Sequence, residues 1–131
     1  MEKEFVPYDE SLALKELGFD ELCICIYNRE KSLRVNVFNN PNDRFKSVQL
    51  SYNNGKIPAP LYQQTFRWFR EKYNLIPDIQ YYGNWNFEIF RIGEFAEPMD
   101  DVNVDYTFKG GTYEESELEC LKKLIEIVKS K

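Results

Sequence analysis

The chain has 131 residues, of which 16% are aromatic, and a formal net charge of −5. This length predicts a single domain over residues 1–131, and so many large rings can bury enough apolar surface to exclude a disordered protein. The acidic balance opposes binding to nucleic acid or to anionic membranes. No run approaches the roughly 20 apolar residues of a membrane span, and the N-terminus lacks the apolar run of a secretory signal, so we expect a soluble cytoplasmic protein.

The first predicted element is a short helix. Asp9 is placed to cap the stretch "ESLALKEL" (10–17), and Gly18 can supply the left-handed residue that ends it. Phe19 can then fold back onto Leu14, as in a Schellman motif.

Three strands are predicted after this helix. The stretches "LCICIY" (22–27) and "LRVNVF" (33–38) are rich in strand-forming residues and flank "NREK", which predicts a hairpin. The first stretch is apolar at every position, so its composition predicts cover on both faces. The alternating "SVQLSY" (47–52) predicts the third strand, and the breaker-rich "NNGKIPAP" (53–60) predicts a connection.

A second helix is predicted at "PLYQQTFRWFREKYNL" (60–75), because Pro60 suits a first helical turn. Its rings recur at helical spacing and form a core-facing stripe, namely Tyr62, Phe66, Phe69 and Tyr73. Most cations lie on the opposite face, whereas a site that stacks on a flat anionic group needs rings and cations together. At the edge of the stripe, where Trp68 is expected to be partly exposed, lies a candidate basic cluster of Arg67, Trp68, Arg70 and Lys72.

The rest of the chain predicts a second hairpin, a further strand and a last helix. "DIQYY" (78–82) and "WNFEIFRI" (85–92) flank the two-residue turn "GN". "VNVDYTF" (102–108) alternates strictly, as a half-buried strand does. Thr112 and Glu115 form a capping box ahead of an amphipathic helix.

The predicted fold class is therefore α+β. We expect a mainly antiparallel sheet of about five to six strands with three helices, in the order α-βββ-α-βββ-α. Each half has one helix and three strands, which is the pattern of an internal duplication, although identity between the halves is too slight to establish one.

Few residues here can carry catalysis or hold a metal. The chain has no histidine, so the usual general base and every Cys–His or Ser–His nucleophile are absent. Cys23, Cys25 and Cys120 lack a fourth zinc ligand and are predicted to be free, buried thiols. "DVNVD" (101–105) begins like a calcium loop but has Tyr106 where the turn glycine belongs. We expect no catalytic residue, no metal and no cofactor.

Three stretches carry a resemblance, one near each end of the chain and one in the middle. They are "FVPYDESLALKELGFDE" (5–21), "PLYQQTFRWFREKYNL" (60–75) and "TYEESELECLKKLIEIVKSK" (112–131). Together they resemble a family of short uncharacterised proteins encoded by gut Bacteroidetes and by the phages that infect them. The resemblance implies a phage or mobile-element gene that acts in the bacterial cytoplasm, and it implies no activity, cofactor or site residue.

Three functions are compatible with these observations. The first is a small non-enzymatic protein-interaction module of phage or mobile-element origin, which binds itself or a host or phage protein. Its small size, acidity, many rings and lack of catalytic apparatus favour it. The second is a single-stranded nucleic-acid-binding protein that uses aromatic and basic residues. The third is an enzyme that uses carboxylates or a thiol, but no spacing selects a pair of these groups.

Strand parity gives a candidate interaction surface. If all helices cover one face of the sheet, the open face carries large rings among polar neighbours, namely Tyr27, Phe38, Tyr82 and Phe90. The same parity places Ile24 and Val35 inward, and Cys23 and Cys25 outward. The alternative is that the helices divide between both faces and bury these rings.

Overall fold

The computed structural model of the chain describes residues 2–35, 57–91, 104–106 and 111–130. The chain falls into two compact units, Met1–Tyr62 and Gln63–Lys131, and the described residues of each contain a three-stranded antiparallel sheet. The predicted α+β class, with three α-helices and mainly antiparallel strands, is confirmed. The strands are divided between two sheets where one was predicted, and the single domain stays a prediction.

The first unit contains one helix and one small sheet. A 3-10 turn at Glu2–Glu4 precedes α1 (Tyr8–Glu16), and β1 (Cys25–Tyr27), β2 (Leu33–Val35) and β3 (Ile57–Ala59) follow. β1 is the central strand and pairs antiparallel with both neighbours, in the order β2-β1-β3. The predicted first hairpin is therefore confirmed in β1 and β2.

A side chain closes the turn of this hairpin. The backbone N–H of Asn28 donates to the carbonyl of Ser32 at 3.0 Å. Asn28 Oδ1 also accepts from the backbone N–H groups of Glu30 at 3.0 Å and Ser32 at 2.9 Å. Lys31 takes a left-handed φ of 65° within this turn. An asparagine at this position satisfies turn amides that the strands leave unpaired.

The strand β3 lies where a connection, 53–60, was predicted from the sequence, so that prediction is wrong at 57–59. Ile57–Ala59 pairs with β1, with Pro58 opposite Ile26. β3 is an edge strand among the described residues, and an edge tolerates proline because the missing N–H can face away from the neighbouring strand. The strand predicted at 47–52 lies outside the described residues.

Of the two predicted ends of α1, the C-terminal end is confirmed and the N-terminal cap is wrong. Gly18 has a left-handed φ of 100°, and the backbone N–H of Phe19 donates to the carbonyl of Leu14 at 2.9 Å, which confirms the predicted stop. The predicted N-cap is wrong, because Asp9 lies within the first turn and Pro7 occupies the cap position. A proline there fixes the extended backbone at the helix start without a side-chain hydrogen bond.

The buried polar groups of the first unit converge on one carbonyl. The carbonyl of Val6 accepts from the hydroxyl of Tyr27 at 2.7 Å and from that of Ser11 at 3.1 Å. The backbone N–H of Val6 donates to the carbonyl of Pro60 at 2.9 Å. Around them, Phe5 packs with the buried residues of β1 and β3. Hydrogen bonding keeps this polar carbonyl from being a buried, unpaired acceptor.

The second unit contains the longer strands. The helix α2 (Tyr62–Tyr73), of which all residues but the first belong to this unit, leads through Asn74, with a left-handed φ of 56°, into β4 (Leu75–Tyr81). β5 (Trp85–Arg91) and the short β6 (Val104–Tyr106) follow, and the sheet order is β4-β5-β6. Of the predicted order α-βββ-α-βββ-α, the structure confirms α-βββ-α-ββ-α, and the three-residue β6 lies before the last helix.

The last helix, α3 (Tyr113–Lys129), covers one side of this sheet. It lies against β5 and β4, and it buries Cys120, Leu121 and Leu124 completely. The Thr112 hydroxyl accepts from the backbone N–H of Glu115 at 3.2 Å, which confirms the predicted cap. Within the described ranges, no helix combines the length and apolar composition needed to cross a bilayer.

Candidate functional site

The structure overturns the predicted exposure of Tyr27. This ring is only 8% exposed, it stacks edge-on against Tyr8 at 5.6 Å between centroids, and its hydroxyl bonds to Val6. The cover on both faces that the composition predicted is confirmed for β1, since Cys25, Ile26 and Tyr27 are all buried. Just before the strand the assigned parity is wrong, because Cys23 is buried and Ile24 is 63% exposed.

The other members of the predicted surface have different outcomes. Tyr82 is 73% exposed, as an interaction residue must be. Phe90 on β5 is half-buried. Phe38 lies outside the described residues. Val35, which was predicted to face inward, is 60% exposed.

The structure brings three rings into contact, those of Tyr81, Trp85 and Tyr113, and Tyr82 follows Tyr81 at the start of the turn after β4. We call these four residues the aromatic patch. Tyr81, Tyr82 and Tyr113 are 62%, 73% and 42% exposed. The half-buried Trp85 joins two of them, because its ring centroid lies 5.1 Å from that of Tyr81 and 5.1 Å from that of Tyr113. The contact with Tyr113 is T-shaped, a favourable geometry for an aromatic pair.

Local folding explains why these rings meet. The connection between β4 and β5 is three residues long, 82–84, where a two-residue "GN" turn was predicted. Gly83 takes a left-handed φ of 81° there, and the backbone N–H of Tyr82 donates to the carbonyl of Asn84 at 3.0 Å. This register places Tyr81 directly opposite Trp85. Residues opposite each other on paired strands project from the same face, so the two rings touch.

Tyr113 reaches the aromatic patch from the last helix. It is the first residue of α3, directly after the Thr112 cap, and α3 lies against β5. Tyr81, Trp85 and Tyr113 were not among the predicted site residues. The two rings that flank the turn were a usable signal for the first pair. Tyr113 could not have been found, because its place depends on how α3 packs on the sheet.

One ring of the aromatic patch, Tyr113, lies beside carboxylates. Burial raises the pKa of the Tyr113 phenol, as do the charge of Glu117, a hydrogen bond to that carboxylate and the charge of Glu114. The phenol therefore stays protonated at neutral pH. No lysine or arginine occurs in the stretches 80–86 and 112–117, which contain the patch.

The predicted basic cluster on α2 does not present a ring to solvent. Trp68, which was predicted to be partly exposed, is only 6% exposed. Lys72 Nζ lies 5.1 Å from the centroid of the Trp68 ring and 5.7 Å from that of Tyr73. The buried side of α2 is centred nearer Thr65 and Trp68 than the predicted stripe was. Arg67 and Arg70 are exposed on the other side.

Thiol chemistry finds little support in the described residues. Cys23, Cys25 and Cys120 are reduced and buried. Burial raises the pKa of Cys23 to about 12 and also raises the pKa of Cys25 and of Cys120. A reactive cysteine needs an exposed thiol with a lowered pKa. In the same ranges, no three His, Cys, Asp or Glu side chains are grouped so that they could hold a metal ion.

An open pocket of about 380 Å³ lies beside the first hairpin. Its described lining consists of Tyr27, Lys31, Ser32, Leu33 and Arg34. Two of these residues are cations, but the Tyr27 ring is buried and Lys31 Nζ lies over the Tyr8 ring, 5.1 Å from its centroid. The pocket therefore offers positive charge without an exposed ring for stacking.

Comparisons of the chain with models of protein families, with curated proteins and with solved structures found no match. The resemblance to proteins of gut Bacteroidetes and their phages therefore stays a prediction. Any functional proposal rests on the residues and geometry of this chain.

Proposed function

We propose that the protein is a small non-enzymatic interaction module that binds another protein through the aromatic patch. One observation carries the proposal. Tyr81 and Tyr113, which are 62% and 42% exposed, both contact the Trp85 ring, and Tyr82, which is 73% exposed, follows Tyr81 in the chain. Grouped exposed rings commonly mark contact sites, and Tyr and Trp are enriched at the centres of interfaces.

The way the rings are held also supports binding. Trp85 and Tyr81 stand on paired strands, and Tyr113 stands on a capped helix. Rigid elements and large rings with few rotatable bonds lose little conformational entropy when a partner binds. A pre-organised patch of this kind can therefore bind with a modest contact area.

The two alternatives have less support. A single-stranded nucleic-acid-binding protein needs exposed rings beside cations. In this chain the ring of the basic cluster, Trp68, is buried, and Tyr113 of the aromatic patch lies near Glu114 and Glu117. The enzyme alternative has no reactive thiol in the described ranges, since Cys23, Cys25 and Cys120 are buried and burial raises the pKa of each.

The family resemblance suggests where a partner would be found. A phage or mobile-element protein in a bacterial cytoplasm meets host proteins and other phage proteins. We therefore propose one of these as the partner, with self-association as the alternative.

Affinity capture tests this proposal. The bait is the wild-type protein, the double variant Tyr81→Ser/Tyr82→Ser or the control Gln63→Ser, which changes an exposed residue of α2. The lysates come from gut Bacteroidetes cells with and without phage. We expect the wild type and the control to retain the same proteins and the double variant to lose them, since an anchor ring is commonly worth about 2 kcal/mol, or roughly thirtyfold in affinity. Identical capture by all three baits would refute the proposal.

A further inference from the structure

We infer that the partner segment that binds the aromatic patch is basic, an arginine- or lysine-rich stretch of protein whose cations lie over the exposed rings. This inference rests on the proposed function and adds the chemistry of the partner. The alternative occupants, a nucleic acid and a second copy of this chain, are outcomes of the test.

Charge complementarity is the first argument. Glu114 and Glu115 follow Tyr113 in the first turn of α3, Glu115 is exposed, and the largely buried Glu117 lies one turn further on. The chain stretches that form the patch contain no cation, and the whole chain has a net charge of −5. A partner with positive charge at its contact surface gains attraction here, whereas a phosphate backbone meets repulsion.

Other aromatic rings of the same chain already carry a cation. Lys31 lies 5.1 Å from the centroid of the Tyr8 ring, and Lys72 lies 5.1 Å from that of Trp68. No lysine or arginine of the described residues lies over Tyr81, Tyr82, Trp85 or Tyr113. A cation placed over the face of a Tyr or Trp ring is attracted by the ring quadrupole. The patch therefore has exposed ring faces that a cation from another molecule can occupy.

A pair of matched peptides tests the inference directly. The probes are fluorescein-labelled tetra-arginine and tetra-citrulline, because citrulline has the shape of arginine without its charge. Fluorescence anisotropy with the full chain at low salt gives both affinities. We expect tetra-arginine to bind at least tenfold more tightly, and added salt to weaken it as screening requires. Equal affinities for the two peptides would overturn the inference.

Variants then locate the binding. Removing one cation–π partner at an exposed site should weaken tetra-arginine about two- to fivefold. We expect this loss for Tyr82→Ser and for Trp85→Leu, and a similar loss for Glu114→Gln. The matched control is Glu71→Gln, which removes the same charge from the exposed face of α2 and should leave the affinity unchanged. Losses that are equal in Glu114→Gln and Glu71→Gln, with none in Tyr82→Ser, would place the peptide elsewhere and overturn the inference.

Two further measurements cover the other occupants. One is the affinity of a labelled thymidine oligonucleotide. If the wild-type protein binds it more tightly than tetra-arginine, and Tyr82→Ser binds it more weakly than the wild type does, the patch binds nucleic acid and the inference is overturned. The inference would also be overturned if light scattering showed that the wild-type protein is a dimer and that Tyr82→Ser is a monomer. If capture from lysate depends on the patch while tetra-arginine does not bind, the interaction module survives and the basic partner fails.

Discussion

Among single residues, the buried cysteines make the stability of the protein depend on alkaline pH. Burial raises the pKa of Cys23 from its ordinary 9.0 to about 12. The unfolded chain therefore releases this proton at a lower pH than the folded chain does. The stabilisation is fully present below about pH 9 and is lost as pH rises toward 12. We predict that the free energy of unfolding falls over this window, by at most about 1.4 kcal/mol per pH unit for each such thiol.

Urea titrations at pH 8.5, 10 and 11, with reductant present, measure this dependence. The control variant is Cys23→Ala, which removes the thiol and should give a shallower decline than the wild type. Cys120 and Tyr113 also have a raised pKa, so part of the decline remains in the variant. Identical slopes for the wild type and Cys23→Ala would show that this thiol does not titrate as its burial requires.

At the scale of elements, substitutions on the two faces of α2 should differ sharply in how much they lower the free energy of unfolding. Phe69 is completely buried, whereas Gln63 is exposed. We predict that Phe69→Ala lowers the free energy of unfolding by about 3–5 kcal/mol, because it leaves a cavity. Phe66→Ala should cost less, since that ring is half-buried, and Gln63→Ala should cost little. Chemical denaturation measures all three, and equal losses at Phe69 and Gln63 would contradict the placement of the faces.

The capped start of α3 gives a second prediction for an element. The Thr112 hydroxyl accepts the backbone N–H of Glu115, so Thr112→Ala leaves that donor unsatisfied within the helix. We expect a loss of about 1 kcal/mol in the free energy of unfolding. Thr112→Ser keeps the hydroxyl and should stay close to the wild type. If the alanine and serine variants melt alike, the hydrogen bond does not stabilise the helix.

Elements could be predicted from local signals better than faces could. The stop at Gly18, the cap at Thr112 and both hairpins follow from short patterns, and the structure confirms them. The strand Ile57–Ala59 was missed, because Pro58 is a strand breaker everywhere except at an edge, and edges are set by tertiary pairing. Tyr82 is the only member of the aromatic patch that was predicted from the sequence, because the other members depend on the register of β4 and β5 and on the packing of α3.

For the whole molecule, changes in the aromatic patch should weaken partner binding and leave stability nearly unchanged. Tyr81 and Tyr82 are mostly exposed, so replacing both by serine removes little buried surface. We predict that the melting temperature of Tyr81→Ser/Tyr82→Ser falls by no more than a few degrees, as surface substitutions usually stay within about 0.5 kcal/mol each. Calorimetry of the purified variant checks this. A collapse of the melting temperature would show that the rings hold the fold together and do not serve a partner.

The central claim is that a protein partner binds at the aromatic patch, and site-specific photo-crosslinking in cells tests it most directly. A photoreactive phenylalanine analogue is placed at position 82, at position 113 or, as the control, at position 63 on α2. We predict that positions 82 and 113 crosslink the same partner protein, through a segment rich in arginine or lysine, and that position 63 does not. No crosslink at 82 and 113, or the same partner from all three positions, would contradict the claim.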